Sequence, residues 1–127
     1  MRREFELGPE DVRALEALGR PWEAIRSGAA RYLLVHDHPV PAGYNVSQAR
    51  MAVRIDTYPP GPLDMVYFCP PLARQDGKLI NNLSTVTIDG QTYQQWSRHY
   101  GWLAGVDSLC RHLGRIRGWL THEFRKR

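Results

Sequence analysis

The chain has 127 residues, of which 43% are hydrophobic and 24% charged, with a formal net charge of +4 and two cysteines. This is one domain's worth of ordinary globular composition, with no room for a second independent core. No apolar run approaches the roughly 18 residues a membrane span requires, and two thiols are too few for a disulfide scaffold or a thiolate zinc site, so a reducing, cytoplasmic setting is expected.

The first predicted element is a helix. Gly8-Pro9-Glu10-Asp11 puts proline near the first turn and two acids at the positive end of the dipole. Val12, Leu15 and Leu18 recur at helical spacing, and Gly19 and Pro21 end the run. Trp22 and Ile25 are read as one further helical turn before Gly28. Residues 31–37 are rich in β-formers and form a first predicted strand, ending at His38-Pro39. Residues 50–56 alternate outward Arg50, Arg54 and Asp56 with inward Met51, Val53 and Ile55, the pattern of a half-buried strand. Tyr58-Pro59-Pro60-Gly61-Pro62 forces an extended corner. Residues 63–69 form a third strand, stopped by Pro70-Pro71.

A turn is expected at residues 75–78 and a polar loop at Asn81-Asn82. Asp89-Gly90 between two β-prone runs is the signature of a type I′ hairpin. Gly105-Val106-Asp107 is read as the opening of a last helix, with Val106, Leu109, Leu113, Ile116 and Leu120 on one stripe. The expected fold class is α+β: an antiparallel β-meander packed against N- and C-terminal helices. It forms a single domain over residues 1–127, with a basic tail from about residue 122. Charge is uneven, since residues from Arg98 onward carry seven Lys/Arg against Asp107 and Glu123. A solvated helix face explains that better than nucleic-acid binding, and Trp22, Trp102 and Trp119 read as packing residues rather than a base-stacking platform.

The proline corner leading into Leu63-Asp64-Met65-Val66-Tyr67-Phe68 resembles the ubiquitin-conjugating enzyme fold. More specifically, residues from about 8 to 121 resemble the prokaryotic ubiquitin-conjugating-like family E, through Leu33-Leu34, Pro41-Ala42-Gly43-Tyr44-Asn45, Asp64-Met65, Trp96-Ser97-Arg98-His99 and the run from Trp102 to Asp107. The resemblance implies a bacterial conjugation pathway, whose partners are a ubiquitin-like protein, its activating enzyme and a target protein. No cofactor and no membrane partner are expected. The family at large uses a cysteine nucleophile and an upstream His-Pro-Asn, and neither is found here at the matching place.

Matching Trp102 to the tryptophan before the family's second helix puts the nucleophile position near residues 96–99. Trp96 then corresponds to the apolar residue before the nucleophile, and Ser97 to the nucleophile. A serine hydroxyl needs an adjacent base. In an extended segment His99 shares a face with Ser97. Arg98 could bind a carboxylate or steady an oxyanion. Asp107, Asp89 or Asp76 could orient the imidazole. Cys69 is the thiol alternative, although a cysteine at a strand end before two prolines reads as a small buried hydrophobe. Cys110 falls inside the last helix. Thr87 is a ladder residue of the hairpin, and Asn81 and Asn82 are loop residues near where an oxyanion-stabilising amide would sit. His36-Asp37-His38 would set two imidazoles on one strand face. With no third ligand paired to them, a polar strand end is the better reading. No glycine-rich phosphate loop is found.

Overall fold

Proline in the first turn and the acids Glu10 and Asp11 start helix α1, Pro9–Glu16, which turns Leu15 and Asp11 into the protein. A computed structural model describes residues 1–125; Lys126 and Arg127, the end of the predicted basic tail, lie outside the described residues. Six strands follow: β1 Trp22–Ser27, β2 Ala30–Pro39, β3 Gln48–Arg54, β4 Val66–Cys69, β5 Leu83–Ile88 and β6 Gln91–Trp96. Helix α2, Leu109–His122, and a short 3₁₀ turn, Glu123–Arg125, close the chain. The α+β class is as expected. Every pairing is antiparallel and the order is β1-β2-β3-β4-β6-β5, a four-strand meander with the last hairpin added through its second strand.

The expected helical turn over Trp22 and Ile25 is corrected: these residues lie in β1. Trp22 and Ala24 pack in the helix-side core, whereas Ile25 packs in a second cluster on the opposite sheet face with Tyr32, Leu34, Tyr67, Ile88 and Tyr93. Burial on both faces removes the alternation that marks a half-exposed strand. The second cluster exists because the β5–β6 hairpin curls over the sheet. Its tip residue Asp89 donates its N–H to Ser27 Oγ (2.9 Å) and accepts from Arg2 (2.7 Å). The Asp89-Gly90 turn has φ of 52° and 76°, as a type I′ hairpin needs.

The register of β2 against β3 shifts between Val35 and His38, and Asp37 adopts φ 53°. One extra residue in β2 sends His36 and His38 to opposite faces, which corrects the shared face expected of them. His36 bonds Glu23 on the outer face (2.6 Å), and His38 is buried. Among the described residues no group of three His, Cys, Asp or Glu could hold a metal ion.

The proline corner leads Tyr58 inward. Its hydroxyl donates to Asp11 Oδ1 (2.8 Å) and accepts from the Leu109 N–H (3.0 Å), joining α1 to the start of α2. Helix α2 opens later than expected, with Ser108 as N-cap accepting from the Arg111 N–H. Val106 therefore lies outside the helix and is exposed, while Leu109, Leu113, Ile116 and Leu120 form the buried stripe. Beyond residue 122 the chain stays packed: Glu123 is buried, and Phe124 meets the Tyr44 ring at 4.9 Å. Among the described residues no helix is long and apolar enough to cross a membrane.

Candidate functional site

The site is built where three strand ends meet. Because β4 pairs with β6 through Val66↔Trp96, the chain beyond Trp96 runs beside Asp64 and Met65. The Met65 N–H donates to Arg98 O (3.0 Å), and the Ser97 N–H donates to Asn82 O (3.0 Å). Residues 97–99 are thus held between the entry to β4 and the entry to β5.

Ser97 is half-buried, and its Oγ accepts from Gln95 Nε2 (3.2 Å). His99 is 63% exposed in its side chain, and its Nδ1 lies 3.0 Å from Asp64 Oδ2. With Nδ1–H donating to that carboxylate, Nε2 keeps its lone pair and is the proton-accepting atom. Ser97 and His99 are brought together by sequence, yet each is bonded to a different neighbour. The three aspartates considered from the sequence are committed elsewhere. Asp107 accepts from the Leu103 N–H and pairs with Arg115, Asp89 pairs with Arg2, and Asp76 pairs with Arg74. Asp64, which sequence reasoning passed over as an orienting group, stands beside the imidazole. The only signal that could have found it is the non-sequential β4–β6 pairing.

The residue after Asp64 carries backbone strain. Met65 has φ 62°, a left-handed conformation that side chains larger than glycine rarely adopt. Its carbonyl accepts from His112 Nε2 (3.0 Å), and His112 Nδ1 accepts from the Tyr100 hydroxyl (2.8 Å). His112 is fully buried, and this burial holds its pKa below the ordinary histidine value, although the bond to Met65 opposes the shift. The neutral ring of an α2 residue thus grips the strained carbonyl that sets the position of Asp64.

Trp96 is fully buried, meets Phe68 edge-on at 5.7 Å and donates its indole N–H to Gln94 Oε1 (2.8 Å). Arg98 lies over Trp96, with 4.9 Å from guanidinium carbon to ring centroid. It donates to the carbonyls of Asn81 (3.0 Å) and Ser97 (3.2 Å), and one nitrogen approaches Glu123 at 3.6 Å. The guanidinium is turned inward, with 11% of the side chain exposed. It braces the segment that carries Ser97.

Cys69 lies apart, at the far end of β4, about 13 Å along the strand from Met65 at strand spacing. It is half-buried, opposite Arg50 in the register, with its Sγ 3.9 Å from Gln91 Oε1. Around it Arg50 donates to His36 Nδ1 (3.3 Å) and to Gln91, while His36 Nε2 meets Glu23. Cys110 is exposed on α2. Thr87 is a ladder residue opposite Thr92, and Asn82 serves the site through its backbone carbonyl.

Neither a curated protein nor a solved structure matches the chain. The model of prokaryotic E2 family E matches residues 7–123, the span that holds the helices, the whole sheet and the residues 97–99 segment. The chain belongs to prokaryotic E2 family E, which ties it to ubiquitin-like protein conjugation.

Proposed function

We propose that this protein is the carrier of a ubiquitin-like conjugation pathway. It accepts the C-terminal acyl group of a ubiquitin-like protein from an activating enzyme, holds it as an oxyester on Ser97 and passes it to an amine of a target protein. The observation that carries this reading is the Asp64–His99 pair, an exposed imidazole with its Nδ1 on a carboxylate and its Nε2 open, two residues from a serine hydroxyl.

In the first half-reaction Ser97 Oγ attacks the activated carbonyl and its proton passes to His99 Nε2. The activating enzyme's leaving group departs with that proton. In the second, a target amine attacks the ester and gives up a proton to His99 Nε2, which passes it to the Ser97 oxygen as that oxygen leaves as the alcohol. An alkoxide leaves less readily than a thiolate, which makes the base more necessary than in a thioester carrier. The contact this requires, His99 Nε2 to Ser97 Oγ, has to form on substrate binding, since Ser97 Oγ accepts from Gln95 here; catalytic hydrogen bonds are often long or poorly aligned before substrate binds. Catalysis is otherwise placement, with the braced segment fixing the ester carbonyl. Cys69 would instead carry a thioester.

A second reading is a non-catalytic adaptor that binds the ubiquitin-like protein or its activating enzyme. It is favoured by the engagement of the Ser97 hydroxyl with Gln95 and by the inward turn of Arg98. Mixing the protein with the activating enzyme, ATP and the ubiquitin-like protein separates the two. The carrier gives a denaturation-resistant, hydroxylamine-labile adduct that Ser97→Ala abolishes. The adaptor gives a stable complex and no such band. An adduct lost in Cys69→Ala but kept in Ser97→Ala moves the linkage to sulfur.

A further inference from the structure

Strand β6 sends Trp96 into the helix-side core and Gln95 to the opposite face, where Tyr67 stands across from it in the register. Ser97 follows two residues on, and the two side chains meet: Gln95 Nε2 donates to Ser97 Oγ (3.2 Å). The same nitrogen donates to Sδ of Met65 (3.3 Å), which enters β4 one step before the Val66↔Trp96 pair. A thioether has lone pairs and no hydrogen to give, so this neighbour sets the amide with its nitrogen toward the serine. Gln95, Met65 and Ser97 are all half-buried, so the cluster is held by the sheet yet open to an incoming group.

The other donors around Ser97 are committed. Its own N–H bonds Asn82 O, Arg98 is turned inward onto the carbonyls of Asn81 and Ser97, and His99 Nδ1 faces Asp64. The Gln95 amide is placed differently. One of its hydrogens is on the candidate attacking oxygen, and the other is on sulfur, a weak acceptor that gives it up at little cost. When Oγ bonds a carbonyl carbon, negative charge collects on the carbonyl oxygen, which is joined to that same carbon. A donor 3.2 Å from one oxygen of that centre reaches the other by a small turn of the side chain. The sulfur contact is then exchanged for a stronger, charge-assisted bond.

We propose that Gln95 is a catalytic residue of acyl transfer, its side-chain amide donating to the oxyanion that forms when Ser97 attacks. The assignment rests on the carrier reading given above. As the Oγ–C bond forms, the carbonyl π electrons move onto oxygen, and the Gln95 N–H bonds that oxygen without giving up its proton. As the leaving group departs, the C=O bond is restored and the amide is released. The bond that engages Ser97 in the free protein is the resting position of this donor. An amide does not titrate, so its support does not vary with pH, unlike proton transfer through His99.

The test labels the whole protein with an ethyl fluorophosphonate, which phosphonylates a serine hydroxyl with loss of fluoride and sets a P–O oxygen where the oxyanion would be. Mass spectrometry locates the label, and Ser97→Ala should lose it. Gln95→Leu should slow labelling by about 10²–10³-fold, the usual cost of removing one oxyanion donor. Gln95→Glu, which keeps the length and offers only acceptors when ionised, should slow it at least as much. In the unaltered protein the Gln95 side-chain amide protons should move downfield on labelling, as one hydrogen passes from sulfur to the phosphonyl oxygen. A glutamine that only supports the fold would leave that NMR signal in place, and this readout decides the matter if Gln95→Leu does not fold. Labelling of Ser97 at an undiminished rate in folded Gln95→Leu, or an amide signal unmoved by the label, overturns the proposal and leaves the oxyester reading standing. Absence of any label on Ser97 in the unaltered protein overturns both.

Discussion

Asp64 and His99 are 35 residues apart in the chain and 3.0 Å apart in space. If the pair serves proton transfer, His99→Gln should slow adduct formation and discharge by roughly 10²–10⁴-fold. Asp64→Asn should act in the same direction and less strongly, by releasing the ring. The His99 side chain is 63% exposed and that of Asp64 46%, so neither change should move the urea midpoint much, because exposed pairs contribute about 0–1 kcal/mol. Single-turnover transfer kinetics beside unfolding curves check this, and an intact rate in both variants would remove His99 from the mechanism.

The Tyr58 hydroxyl links α1, the proline corner and the first turn of α2. Tyr58→Phe leaves the buried Asp11 carboxyl and the Leu109 N–H each short of a partner. The expected loss is about 1–3 kcal/mol, read from urea unfolding. Asp11→Asn keeps an acceptor for the hydroxyl and should cost less.

Trp96 fills the helix-side core directly before the candidate nucleophile. Trp96→Ala should destabilise the fold by about 3–5 kcal/mol. It also removes the ring under Arg98, so any adduct formation by the folded fraction should fall with it. Normalising adduct yield to the folded fraction, measured by circular dichroism, tests whether the brace matters beyond stability.

Burial, helped by Arg117 and Arg20, pushes the His38 pKa down to about 4 from its ordinary value of 6.5. A histidine depressed in the folded state resists protonation there, while the unfolded chain takes up the proton from about pH 6.5 downward. Stability is therefore complete above pH 6.5 and falls as the pH drops toward 4, by about 3 kcal/mol once both states are protonated. His112, also depressed, adds to the loss in the same sense. His38→Leu should flatten the His38 part of the pH dependence between pH 7 and 4.5. An unchanged slope in urea melts would show that His38 does not titrate against the fold.

Local chemistry made some elements legible and tertiary context hid others. The Asp89-Gly90 turn, the proline corner and the stripe from Leu109 to Leu120 are written in neighbouring residues, and they appear where the sequence puts them. Strand β1 was illegible because Trp22 and Ile25 are buried on opposite faces, and their three-residue spacing mimics a helix. The bulge at Asp37 reverses the faces of His36 and His38 without a glycine to announce it. At the candidate site the segment from Trp96 to His99 was legible through its resemblance to a family. Its partners Asp64, Gln95 and His112 were not, since they depend on β6 entering the sheet beside β4.

The Arg2 guanidinium bonds both Glu23 (2.8 Å) and Asp89 (2.7 Å), and Arg2 and Asp89 are 87 residues apart. Closing a loop of that length costs about 4 kcal/mol of chain entropy before any contact rewards it. During synthesis, at roughly 5–20 residues per second, the residues around Arg2 wait about 4–17 seconds for the hairpin tip to be made. The fourth strand of the meander ends at Cys69, so the meander's outer face stays uncovered until the hairpin that packs on it has been made.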